Sequence, residues 1–323
     1  MTPQFARAAV IGVGLIGASF AHALRAKGLA VALGVEGVGV ISTVDQIVQM
    51  VTQLGAVGIP FTALKYMSLA RSESAEAFKR VSAGFLRIMA LLASAVTFIS
   101  VAIVVIYPAS VGAEMRGYVD AILLALLSVA PTMATVLLIN VFAAAQRSGA
   151  AAALAFASVG AQAAAAVTGA FLGGIIGLYI ATAAAGFLIT VAALVLVDSK
   201  FGVSLFGQSA SAAALVQDDK SILATALAVY ISKIAYAGAL LAVRYGVLAE
   251  AGEAAAGLLH VALTVALTAG SVLTAMSGFY LAPALNRAGA ATDKIQLAHA
   301  FTGRVLALFM LGAAPLSLFP GVV

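Results

Sequence analysis

Apolar stretches of about twenty residues follow one another along this chain, separated by short polar breaks, and none alternates with the period of a strand. They predict nine membrane-crossing helices near 8–30, 38–60, 83–107, 118–143, 149–171, 173–197, 221–246, 254–282 and 301–321. Each is long enough for a hydrocarbon core about 30 Å thick. Pro131 should kink the fourth helix, and the Ala/Gly-rich fifth and sixth should pack closely. The second helix departs from the others. Ser42, Asp45, Gln46, Gln49, Thr52 and Gln53 recur at spacings that place them on one helical face. Val40, Ile41, Val44, Ile47, Val48, Val51 and Leu54 form the opposite face, suited to lipid or packed protein. A carboxylate and three amides facing hydrocarbon are costly, so the stripe is expected to line a hydrated cavity.

Composition agrees with the pattern. Hydrophobic residues make up 63% and charged residues 9%, with a mean hydropathy of +1.14. Soluble domains carry about 25% charged residues, so the fold class is an all-α polytopic membrane protein. No cysteine is present, which excludes disulfides and thiolate metal sites, and His22, His260 and His299 are too scattered to form a metal set. The net charge of +5 sits in breaks between spans and indicates no nucleic-acid partner. With the N-terminus in the cytoplasm, most Lys and Arg fall on inner loops. Arg25, Lys27, Arg116 and Arg244 fall on the outer side, and that asymmetry supports this orientation. The first apolar stretch is too long for a cleavable signal peptide.

Glu36, Arg71 and Arg87 recur as Glu253, Arg287 and Arg304, each 216 or 217 residues later, in similar surroundings. This repeat predicts a six-helix N-terminal lobe over 1–198, an inter-lobe cytoplasmic loop over 199–220 and a partial C-terminal lobe of three helices over 221–323. Two related lobes with the site between them are a common transporter plan. The repeat maps Val323 onto Tyr107, so the second lobe holds counterparts of only the first three spans. On that reading the chain is expected to be truncated and, as it stands, not to transport.

Charges inside spans are the candidate working residues. Lys233 falls about 18 Å into the seventh span, where an ammonium needs water, an anion or a partner. Tyr230 and Tyr236 flank it. Asp45 could couple transport to a proton or cation, gate the path through a salt bridge, pair with Lys233, or sit near the outer interface. Arg25 and Arg244 end spans one and seven and could attract an anion on exit or anchor the helix ends. Lys65 and Arg71 close span two and could meet an incoming headgroup or simply mark the inner side. Lys79 and Arg80 suit anionic lipid headgroups, and His260 a hydrogen-bonded packing role.

The run LGVEGVGVISTVDQIVQMVTQLGAVGIPFTALKYMSLARSESAEAFKRVSAGFLRIM resembles the first-to-third-helix region of Wzx-type polysaccharide flippases. These belong to the multidrug/oligosaccharidyl-lipid/polysaccharide exporter superfamily. The features that carry the resemblance are the Gly34–Gly39 loop, the Leu54–Gly58 helix ending and the Lys65–Arg87 amphipathic connector; residues 219–323 resemble the start of a second lobe. With about nine spans, the chain departs from the twelve or more usual for the family. The resemblance implies alternating access in the bacterial inner membrane, with no catalysis and no cofactor. It also implies a cationic cavity in which Lys233 receives the diphosphate or acidic sugars of a lipid-linked oligosaccharide. Membrane lipids and polysaccharide polymerase machinery are the further partners implied. A drug/cation antiporter of the same superfamily is the alternative.

A different class is raised by Gly12-x-Gly14-x-x-Gly17, with Glu36 nineteen residues further on. That is the spacing of a dinucleotide-binding fingerprint and would make the chain a membrane-anchored NAD-dependent dehydrogenase fragment. The competing reading is a membrane helix whose Gly14, Ala18 and Ala21 face admits a close neighbour.

Overall fold

The computed structural model describes residues 3–204 and 220–276, with the isolated helical positions Gln296, His299 and Gly303. Every regular element among the described residues is helical. In order they are α1 (Pro3–Ala56), α2 (Ile59–Glu73), α3 (Ala75–Ile106), α4 (Val119–Leu126), α5 (Val129–Ala144), α6 (Ser148–Phe201) and α7 (Lys220–Met276). Two 3-10 turns, Pro108–Val111 and Arg116–Tyr118, link α3 to α4.

Three of the helices are hairpins of two arms. α1 breaks at Gly34 (φ 71°, ψ 176°), α6 at Gly173 and Gly174, and α7 at Gly252 (φ 81°, ψ −179°). Positive φ with extended ψ is open to glycine and costly for any side chain. Contacts across the breaks show that the chain reverses there. Arg25 and Asp45 would stand about 30 Å apart on a straight helix, yet they touch at 2.8 Å. Arg244 and His260, sixteen residues apart, meet at 3.3 Å. A Cβ on Gly169 would overlap the Gly177 carbonyl, and one on Gly177 the Gly169 carbonyl, so the α6 arms run in backbone contact. The described helices therefore supply eight crossing segments, matching the first eight predicted spans. The end of the eighth and, apart from Gly303, the ninth, 301–321, lie outside the described residues, as do 205–219 of the expected inter-lobe loop.

Two boundaries differ from the sequence reading. The second span ends at Ala56 rather than 60, because Val57 (φ 44°) and Gly58 (φ 70°) leave the helix and Pro60 opens α2. The fourth span is broken between Leu126 and Val129. Pro131 has no N–H for the Leu127 carbonyl, and its ring crowds that carbonyl, so the break falls one turn before the proline. Downstream of α2, Ser74 caps α3 by accepting a hydrogen bond from the Ala77 N–H at 3.0 Å.

Residues 12–17 lie inside the first arm of α1. A dinucleotide fingerprint needs a strand, a tight turn and then a helix. The continuous helix removes that reading.

The chain divides into two compact units, Gly17–Thr264 and Met1–Ile16 with Val265–Val323. The second holds the start of α1 and the last helical turns of α7. Within the first, α1 to α6 share one apolar core, with Met67, Phe78, Met89, Ile122, Leu137, Leu138 and Leu178 fully buried. Among the described residues α7 adds only Ala237, Leu248 and Ala256 to the buried apolar set. The turns at Gly34 and Gly252 and the 107–118 loop gather at one end (the turn end). The α2 connector and the end of α6 occupy the other.

Candidate functional site

Folding α1 back at Gly34 brings its two arms together through charge. Arg25 Nη2 donates to Asp45 Oδ2 at 2.8 Å, with 21% and 31% of the two side chains exposed. Tyr179, from the second arm of α6, adds its hydroxyl at 3.1 Å from Asp45 Oδ1 and 3.2 Å from the Ile41 carbonyl. Asp45 is thus partnered by Arg25. The expected pairing with Lys233 is not found.

The stripe on the second arm of α1 divides along its length. Ser42 and Gln46 are 1% and 3% exposed. Ser42 donates to the Gly39 carbonyl at 2.8 Å, and Gln46 Nε2 reaches the Ala237 carbonyl of α7 at 3.1 Å. Gln46 therefore does not face water as expected, because the neighbouring arm of α7 covers it. One and two turns further on, Gln49 is exposed and Gln53 half-buried, while Thr52 bonds its own helix at the Val48 carbonyl. Of the opposite face, Val40, Ile41 and Val44 are packed in protein, and Leu54 is 43% exposed.

The first arm of α7 runs antiparallel along this arm. Gln46 meets Ala237, Met50 lies against Gly238, and the Tyr230 hydroxyl donates to the Leu54 carbonyl at 3.1 Å. Tyr230, Lys233, Ala237 and Arg244 share one helical face. Lys233 lies between the contacts at Tyr230 and Ala237, level with Gln49 and Gln53, and is exposed. It makes no hydrogen bond or ion pair among the described residues. Tyr236 is 49% exposed and points away from that face.

Arg244 departs most from expectation. The arm continues to Gly252, so Arg244 lies within the helix rather than at its end, and it is 5% exposed. Its Nη1 lies 3.3 Å from His260 Nδ1 on the returning arm, while its buried Nε has no partner. Around it, the Tyr245 hydroxyl donates to the Val111 carbonyl, and Tyr118 donates to Glu253 Oε1 at 2.9 Å.

The turns of α1 and α7 cross where neither has a side chain. A Cβ on Gly39 would overlap the Glu253 carbonyl, and one on Gly257 would overlap the Val35 carbonyl. Gly252 follows Gly34, Glu253 follows Val35, and Gly257 follows Gly39 by the same 218 residues. The contact is therefore reciprocal under a two-fold relation between the hairpins.

At the connector end Lys65 and Arg71 are exposed on α2. The Arg71 guanidinium lies 5.6 Å from the centre of the Phe78 ring. Phe78 meets Phe201 edge-on, and Phe201 meets Phe142 likewise. The structure does not bring these cations together with Lys233. Tyr179 and Gly257 were not among the sequence candidates. Gly257 was recoverable from the repeat, whereas nothing near Tyr179 in sequence marks it.

No family profile matches the chain, and no curated protein matches it in sequence. Solved structures do match its fold. The MATE multidrug transporter DinF-BH is similar at 17% identity and a TM-score of 0.74, covering 99% of this chain and 76% of that one. A MOP superfamily transporter from Pyrococcus furiosus, described as having a binding pocket of reversed polarity, is similar at 11% identity and a TM-score of 0.65, covering 98% and 71%. A multidrug resistance MATE family transporter in an inward-facing conformation is similar at 14% identity and a TM-score of 0.63, covering 99% and 70%. This chain is an all-α, multi-pass membrane protein with the fold of the MATE transporters of the MOP superfamily.

Proposed function

We propose that the chain is a flippase that moves an isoprenoid-diphosphate-linked oligosaccharide from the inner to the outer leaflet by alternating access. The observation that carries this reading is Lys233, an exposed ammonium well inside α7, level with the amides of Gln49 and Gln53. A cation flanked by neutral hydrogen-bonding groups suits a diphosphate bearing sugars. The transporter fold supports the alternating-access part, and flipping makes and breaks no bond. The distribution of Lys and Arg supports an N-terminus in the cytoplasm, and the resemblance to Wzx-type flippases implies the bacterial inner membrane. Polysaccharide polymerase machinery would take the product.

The multidrug transporters among the structural neighbours favour a second reading, a drug/cation antiporter. Such a site needs an available carboxylate within the membrane. Asp45 is the one carboxylate well inside a span, and Arg25 and Tyr179 already occupy it. The flippase reading has no such requirement. In cells, Lys233→Ala should abolish glycan export with normal membrane insertion, and Lys233→Arg should retain part of it. Normal export by the alanine variant would refute the role of Lys233.

A further inference from the structure

The crossing of the α1 and α7 turns brings backbone against backbone between two separate hairpins, as Gly169 and Gly177 do within α6. In the core of α3 to α5 the helices interlock through large buried side chains such as Phe78, Met89, Ile122 and Leu138. Along the α1–α7 seam the buried apolar contributions of α7 are the small Ala237 and Ala256 with Leu248. Two hydrogen bonds from a side chain to a backbone carbonyl cross it, Gln46 to Ala237 and Tyr230 to Leu54. On parting, α7 itself would uncover little apolar surface, and water can replace the hydrogen bonds of the seam. The two glycines let backbone meet backbone and leave no gap at the crossing.

We propose that the Gly39–Gly257 crossing is the reversible seal of the transport path at the turn end, and that these glycines are its positioning residues. This rests on the transport reading. Because the contact is reciprocal, a methyl group on either glycine would disfavour the closed arrangement and leave a parted one unaffected. A ligand or a substitution shifts such an equilibrium only through a difference between the two states. Both alanine variants should therefore shift the chain the same way, toward opening at that end.

The chain has no cysteine, so single reporters can be placed without prior substitution. Ala237→Cys reports on the seam beneath the crossing, and Ala166→Cys, on a residue buried in α6, reports on the packed core. Gly117→Cys, exposed in the 107–118 loop, marks the turn-end face. A membrane-impermeant thiol reagent is applied to right-side-out and inside-out vesicles. From the Gly117 face, Ala237→Cys should stay unlabelled in the parent. With Gly39→Ala or Gly257→Ala added, its rate should rise toward that of the marker, while Ala166→Cys stays protected. Gly246→Ala, where a Cβ meets open space, should change nothing. The proposal is overturned if Ala237→Cys stays protected in both variants. It is also overturned if both reporters label together, because the crossing is then a folding contact. Neither readout needs a substrate, so failure here leaves the flippase reading standing, and absence of glycan export leaves the seal standing.

Discussion

The hairpins at Gly34 and Gly252 have the same plan and partner their arginines differently. In each, an arginine eight or nine residues before the turn reaches a polar side chain on the returning arm. In the first, the partner is a carboxylate and a tyrosine completes the set, so the guanidinium charge is matched. In the second, the direct partner is an imidazole and a buried guanidinium nitrogen has no hydrogen-bond partner, while the charge of Asp45 reaches this arginine only from a distance. The third hairpin, in α6, closes with Gly169 against Gly177 and Ala181. A tight helical turn therefore needs no charge. The guanidinium at Gly34 is charge-matched by contact, whereas the one at Gly252 is buried with an incomplete set of direct partners. A charge that costs stability is better explained by what it does than by what it holds together.

The sharpest break in this comparison is Asp45→Leu. It strands Arg25 largely buried without its anion, which should destabilise the protein by about 3 kcal/mol. Thermal unfolding in detergent measures it, and adding Arg25→Met should recover most of the loss. Tyr179→Phe removes one hydrogen bond to the carboxylate and should cost about 1 kcal/mol by the same measurement. Arg244→Met should have the smallest effect, with stability unchanged or raised by about 1 kcal/mol, since Asp45 keeps its direct partner Arg25. A loss as large as that of Asp45→Leu would mean that the two hairpins do not differ electrostatically.

Hydropathy made the spans legible, because apolar runs of this length have few alternatives to a membrane helix. Of the three charge pairs that marked the repeat, Arg287 and Arg304 lie outside the described residues, and only Glu36 and Glu253 can be compared. Glu36 and Glu253 are 217 apart, whereas the backbone pairs Gly34 with Gly252 at 218. One residue is about 100° on a helix, so the two carboxylates are not equivalent. Glu253 accepts from Tyr118, and Glu36 is exposed. The partners of Asp45 and Arg244 were hidden because helical periodicity says nothing about where a hairpin turns. Once Gly34 and Gly252 are known as turns, Arg25 reflects onto the neighbourhood of Asp45 and Arg244 onto His260. Tyr179 comes from a distant hairpin, and no local pattern could have connected it to Asp45.

Whether the mid-helix cation at Lys233 binds a diphosphate-linked sugar is tested most directly by native mass spectrometry. The purified protein is offered an isoprenoid-diphosphate oligosaccharide and, separately, a lipophilic cationic dye of the rhodamine class. The oligosaccharide lipid should bind, Lys233→Ala should lose it, and the dye should not bind. Binding of the dye with no binding of the diphosphate lipid would contradict the assignment.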